Sequence, residues 1–116
     1  MVGKVQKKTP DKSIHALLIA LKQELIKLYG SRLKGLVVFG SYARGQARPG
    51  SDLDVAMLLE DMERPWPEIR CTGSIVADLS LKYGITVSLI PLAEHELTEN
   101  ASPLVRSIRR EGIQVP

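Results

Sequence analysis

Two short apolar runs, separated by a glycine-marked break, constrain this chain more than anything else in it. The first is Leu36-Val37-Val38-Phe39, which ends at Gly40; the second covers residues 52–59. Runs of this length, rich in β-branched and aromatic side chains, fit buried strands better than helices. In the second run Leu53, Val55, Met57 and Leu59 alternate with Asp52, Asp54 and Ala56, so the two sets project from opposite faces of a sheet. Between the runs, residues 41–45 predict one short helical turn. Gln46-Ala47-Arg48-Pro49-Gly50 then reads as a loop, with Pro-Gly as its turn signal.

On either side the periodicity becomes helical. Thr9-Pro10-Asp11 predicts a helix start. Ile14, Leu17, Leu18, Leu21, Leu25 and Leu28 follow at helical spacing, and Gly30 stops the run. Such an amphipathic stripe is core packing rather than a membrane or partner helix. Pro65 and Pro67 mark a second helix entrance, where a missing backbone N–H is tolerated. Trp66, Ile69, Val76, Leu79 and Tyr83 keep its stripe up to Gly84, with Trp66 expected as a core or edge anchor. Residues 85–90 alternate again as a third strand that Pro91 stops. Short helices near 93–97 and 103–110 complete the chain. The expected architecture is a single α/β domain over residues 11–116, a small mixed β-sheet flanked by helices. Residues 1–10, with Lys4, Lys7 and Lys8, are expected to form a flexible tail.

Composition removes several classes of function. Apolar residues make up 44% and charged residues 25% of 116, a globular profile that excludes disorder as the main state. No apolar run approaches the roughly 20 residues a membrane span requires. Lys and Arg total 16 against 13 Asp and Glu, and the resulting +3 is too small to argue for nucleic acid by itself. The lysines of the tail, with Arg106, Arg109 and Arg110 on one late helical face, keep a nucleic-acid surface as a third reading behind those developed below. The start, Met1-Val2-Gly3-Lys4, has no apolar signal region, and Cys71 is the single cysteine. A cytoplasmic location is the expectation.

The chemistry concentrates in Gly40-Ser41-Tyr42-Ala43-Arg44-Gly45 and in Ser51-Asp52-Leu53-Asp54. A strand that feeds a glycine and then a helical turn aims backbone N–H groups over the strand end. Gly40 has no Cβ, so a phosphate can come close to the main chain. Ser41 adds a hydroxyl, and Arg44 a fixed positive charge. Asp52 and Asp54 lie two apart on a strand and share a face. Two neighbouring carboxylates repel, and an oxygen-liganded divalent cation relieves the repulsion. Mg²⁺ suits that role, since it takes one or two carboxylates and completes its shell with water and substrate phosphates. Metal-assisted phosphoryl chemistry follows, with room for two metals to clamp attacking and leaving oxygens. Gly-Ser alone or Asp-x-Asp alone is commonplace. The joint pattern, with ten residues between Ser41 and Asp52, is not.

On these residues the sequence resembles the nucleotidyltransferase superfamily that includes DNA polymerase beta, kanamycin nucleotidyltransferase and the minimal nucleotidyltransferases. The resemblance rests on Val38-Phe39-Gly40-Ser41, Arg44-Gly45 and Ser51-Asp52-Leu53-Asp54-Val55, and the element order agrees over residues 12–92. It implies that Gly40 and Ser41 contact a nucleoside triphosphate, that Arg44 assists with phosphate, and that Asp52 and Asp54 are catalytic and hold Mg²⁺. It further implies a minimal nucleotidyltransferase antitoxin that moves AMP from ATP to a tyrosine of a HEPN-domain toxin, its protein partner. One departure stands out. Active family members often carry a third carboxylate on the next strand, whereas here Ile85-Thr86-Val87-Ser88-Leu89-Ile90 offers only Thr86 and Ser88. Asp78, on the preceding helix, could substitute only with suitable geometry. The departure supports a competing expectation, a binding module of the same fold that neutralises or scaffolds a partner by contact alone. Neither His15 nor His95 has a partner at metal spacing. Ser41 is not in a Gly-x-Ser-x-Gly elbow, which argues against a serine hydrolase.

Overall fold

The computed structural model describes residues 12–99 and 102–116. Thr9, Pro10 and Asp11, and the expected tail over residues 1–10, lie outside the described residues. A single 3₁₀ turn at Lys12–Ile14 leads into helix α1, His15–Tyr29. Strand β1 is Leu33–Phe39, β2 Leu53–Leu59, β3 Val87–Ala93 and β4 Ile113–Gln114. Helix α2 is Pro65–Tyr83, α3 Glu96–Glu99 and α4 Pro103–Glu111. The strands form one mixed sheet in the order β3-β2-β1-β4. β1 pairs antiparallel with β2 and with β4, while β2 and β3 run parallel, joined through α2. Parallel neighbours need such a crossover, and a helix of this length supplies it.

The alternation in β2 sorts the core into two halves. Leu53, Val55, Met57 and Leu59 join Leu36, Val38 and the buried face of α1, including Leu17, Leu18, Leu21 and Leu25. Ala56 and Leu58 face the other way, with Val37 and Phe39, onto Leu97 of α3 and Val105 and Ile108 of α4. Helices therefore cover both faces of the sheet. Leu28, expected in the α1 stripe, is exposed; Tyr29 takes the inward place and donates a 2.7 Å hydrogen bond to Glu68 of α2. Trp66 is 62% exposed and is not a core anchor. α2 packs inward through Thr72, Ile75, Val76 and Leu79, and helical geometry turns Trp66 about 120° away from the centre of that face. Gly84 ends α2 in a left-handed conformation, φ 67°, as a helix-terminating glycine does.

Pro91 does not stop β3. The strand runs from Val87 through Pro91 to Ala93. The ladder explains why: Leu53 donates to the carbonyl of Thr86, and Glu94 donates to the carbonyl of Leu59. Even-numbered residues of this stretch therefore bond toward β2, and odd-numbered residues point their N–H groups outward. Pro91 falls on the outward set of an edge strand, where no ladder bond is lost. Its outward neighbours are satisfied locally: Val87 N–H donates to Ser80 Oγ at 3.0 Å and Ala93 N–H to Glu96 Oε1 at 3.0 Å. β4 was not expected from the sequence. It lays Ile113 and Gln114 beside Val38 and Val37, and Val115 N–H donates to the carbonyl of Leu36. Among the described residues no helix is long and apolar enough to cross a membrane.

Candidate active site

The site is assembled where β1 ends. Phe39 lies opposite Asp54 in the antiparallel register, so the turn that follows Phe39 opens beside Asp54. That turn is a single 3₁₀ turn at Gly40–Tyr42. The Gly40 carbonyl accepts from the N–H groups of Ala43 and Arg44, both at 3.1 Å, and the Ser41 carbonyl accepts from Gln46 at 2.9 Å. Gly40 has φ 74°, a conformation that favours glycine. A Cβ built there would collide with Asp54 Oδ2. Glycine is thus required twice, once by the backbone and once by the carboxylate pressed against it. Ser51 closes the connecting loop: its Oγ accepts from Arg48 N–H at 2.8 Å, and its own N–H donates to the Arg48 carbonyl at 2.9 Å. The loop thereby returns the chain to Asp52 at the mouth of β2.

Asp52 is exposed and Asp54 half-buried. Both sit on the sheet face that carries Ala56, toward α3 and α4. Neither carboxylate has a hydrogen bond or ion pair with the described residues. The Asp54 carboxyl is pushed above the ordinary carboxylate range, first by burial and then by the negative charge of Asp52, while Arg44 opposes the shift. Two uncommitted carboxylates on one face, open to water on the Asp52 side, fit the hard-oxygen demands of Mg²⁺. Among the described residues no three His, Cys, Asp or Glu side chains come together to form an all-protein metal cage. A cation there would take its remaining ligands from water and substrate.

Ser88 is the registered neighbour of Asp54 on β3. Continuing that register puts Thr86 level with Asp52, so both hydroxyls flank the carboxylate pair. Asp78 cannot join them. It lines a groove of about 390 Å³ between α1 and α2 with Ala20, Glu24, Ile75 and Leu79, on the opposite face of the sheet. His15 is exposed on α1, and His95 pairs with Glu99 at 2.8 Å.

Arg44 reaches the site from the far end of the turn, but it is already engaged. Its Nη1 donates to Glu111 Oε1 at 3.0 Å and its Nε to Gln46 Oε1 at 3.1 Å. Glu111 closes α4, and Ser107 Oγ donates to the same Oε1 at 2.9 Å. Sequence reasoning missed Glu111. It is 67 residues from Arg44 and sits in an Arg-Arg-Glu run that reads as a solvated helix end.

The family model described as nucleotidyltransferase domain matches residues 18–113. A Methanocaldococcus jannaschii protein named as a candidate protein adenylyltransferase is 33% identical over 103 residues, which cover 88% of this chain and 93% of that protein. The protein adenylyltransferase MntA of Thermococcus cleftensis is 43% identical over 49 residues, 42% of this chain and 48% of its own. Among solved structures, a toxin–antitoxin crystallised with AMP-PNP has a chain of the same fold, with a TM-score of 0.62 at 20% identity, covering 88% of this chain and 72% of that one. With a family match across most of its length and a full-length relative above 30% identity, the chain belongs to the nucleotidyltransferase domain family.

Proposed function

We propose that this chain is a Mg²⁺-dependent nucleotidyltransferase that moves AMP from ATP to a hydroxyl on a partner protein. In this reading it works in the cytoplasm as the antitoxin of a HEPN-type toxin. One observation carries the proposal. β2 and its mouth present two carboxylates that have no donor among the described residues, and the deeper of them lies against the glycine that opens the turn after β1. Relatives named for protein adenylyl transfer support ATP and a protein acceptor. The fold shared with a toxin–antitoxin that holds AMP-PNP is in keeping with this. The HEPN toxin as partner comes from the sequence resemblance.

Each residue has a physical task. Gly40 lets the Asp54 carboxylate sit against the turn that receives the triphosphate, Ser41 donates its hydroxyl to that triphosphate, and Arg44 lends positive charge. Asp52 and Asp54 would hold Mg²⁺, which when bound offsets phosphate charge and aligns the entering and departing oxygens. The acceptor oxygen bonds to the α-phosphorus as the bond from that phosphorus to pyrophosphate breaks, and pyrophosphate carries away the electron pair. The acceptor also loses its proton, which passes to solvent water because Thr86 and Ser88 are poor bases. A phenol, with an ordinary pKa near 10, is the most acidic of the protein hydroxyls and depends least on a strong base. That preference supports a tyrosine acceptor, the residue implied by the resemblance.

The neutral side chains at Thr86 and Ser88 favour a second reading, a partner-binding module without transfer. Intact-mass measurement of the product of the chromosomally neighbouring gene, after incubation with this chain, ATP and Mg²⁺, separates the two. Addition of one or more AMP units is expected, and it should disappear with Asp52→Asn/Asp54→Asn. A stable complex with an unmodified partner supports the binding module. Full transfer by the double variant overturns the site assignment.

A further inference from the structure

We propose that Glu111, at the end of α4, is a positioning residue that holds the Arg44 guanidinium ready for a nucleotide phosphate. The inference rests on the nucleotidyltransferase reading and adds a residue, from the other end of the chain, to its phosphate-binding turn.

The argument begins with the donors of Arg44. A guanidinium carries five N–H groups in a fixed fork. One, on Nη1, is taken by Glu111 and one, on Nε, by Gln46. The two hydrogens of Nη2 have no acceptor among the described residues. The side chain is therefore held at two of its three nitrogens, Nε and Nη1, and leaves Nη2 to donate. Arg44 stands on the turn that opens beside the carboxylate pair: its N–H donates to the carbonyl of Gly40, the residue against which Asp54 Oδ2 lies.

The clamp is firmer at the Glu111 end. The Glu111 side chain is 16% exposed, against 44% for Arg44. Ser107, one turn earlier on α4, donates to the same carboxylate oxygen and fixes its direction. The site also lies at the negative end of the α4 dipole, where a cation is favoured. A half-exposed ion pair adds little to stability. Its larger effect is on entropy: a flexible arginine gives up rotamer freedom when it binds phosphate, and one already held gives up less. Competition between Glu111 and phosphate for the guanidinium would do the reverse. The two have opposite signs in one measurement.

That measurement is ATP affinity of the full chain by titration calorimetry, with and without Mg²⁺, alongside thermal unfolding. Glu111→Ala is expected to weaken ATP binding by about two- to tenfold, the cost of immobilising one long side chain. Its melting temperature should stay within about 2 °C of wild type. Glu111→Gln keeps an amide oxygen as acceptor and should recover most of the affinity. Arg44→Ala should weaken binding further, and Arg44→Ala/Glu111→Ala should be no weaker than Arg44→Ala alone. Unchanged or tighter binding by Glu111→Ala overturns the proposal. So does an undiminished Glu111→Ala loss in the Arg44→Ala background, which would make the residue merely structural. If the wild type does not bind ATP at all, the nucleotidyltransferase reading falls and takes this proposal with it. Wild-type binding with an indifferent Glu111→Ala overturns this proposal alone.

Discussion

Gly40→Ala should cost more stability than Gly45→Ala, and the excess should vanish once Asp54 is shortened. Both glycines hold a left-handed backbone, with φ 74° at Gly40 and 70° at Gly45. An L residue therefore meets the same penalty of about 1–2 kcal/mol at either position. Their surroundings differ. A Cβ at Gly45 would have no heavy atom within 4 Å, while at Gly40 it would overlap Asp54 Oδ2 and lie 3.3 Å from Asp54 Cγ and 3.5 Å from Asp54 Cβ. Either the carboxylate leaves its rotamer, at about 0.5–1.5 kcal/mol, or the backbone shifts, at about 1–3 kcal/mol. The expected losses are about 2–4 kcal/mol for Gly40→Ala and about 1–2 kcal/mol for Gly45→Ala. Urea unfolding, with the midpoint and slope fitted together, measures both. In an Asp54→Ala background the overlapping atoms are gone and only an ordinary Cβ contact remains. There the Gly40→Ala cost should drop to that of Gly45→Ala. Equal costs in the wild-type background would refute the reasoning, as would a Gly40→Ala cost that Asp54→Ala leaves intact.

Two further expectations concern stability. The Asp54 carboxyl is raised in the folded chain, so the folded state binds its proton more tightly than the unfolded state does. Stability from this group is then present at low pH and is lost as pH rises from the ordinary carboxylate range through the folded value. Asp54→Asn should therefore raise the melting temperature at neutral pH. The gain should shrink toward zero near pH 3, and a gain that grows on acidification contradicts the sign. Gly112 has an unremarkable φ of −65°, yet a Cβ there would overlap the Ile108 carbonyl oxygen and Val37 Cγ1. Gly112→Ala should lose about 1–3 kcal/mol in urea unfolding by steric overlap alone; a neutral substitution would show that α4 and β1 are not packed that closely.

Much of this arrangement was legible from local patterns. The period-2 alternation of residues 53–59 assigned both faces of β2 correctly, because each of those faces is buried against a different helix pair. The Gly40 turn was legible for the same reason: it is a strand end marked by a residue with special backbone freedom. What failed was set by distant partners. Pro91 reads as a stop unless the strand is known to be an edge with that residue facing out. Trp66 looks like an anchor until α2 is rotated against the sheet. Ile113 and Gln114 become a strand only because β1 offers an open side. Glu111 has no meaning until Arg44 is brought to it across the fold.

The outward edge of β3 has a consequence for how anything can bind this protein. Of its odd-numbered positions, Val87 and Ala93 already spend their N–H groups on Ser80 and Glu96, and Pro91 has none. Leu89 is left as the one remaining outward donor on a seven-residue strand. The opposite border of the sheet ends in β4, which is only two residues long. The β3 border keeps few outward N–H groups and the β4 border is two residues long, so both are poor templates for sheet growth or for β-augmentation by a peptide. A partner finds more to recognise in side chains, on helix surfaces or at the loops around the carboxylate pair, than in the sheet borders. Protection from self-stacking and the mode of recognition thus share one origin, an edge most of whose outward N–H groups are used or missing.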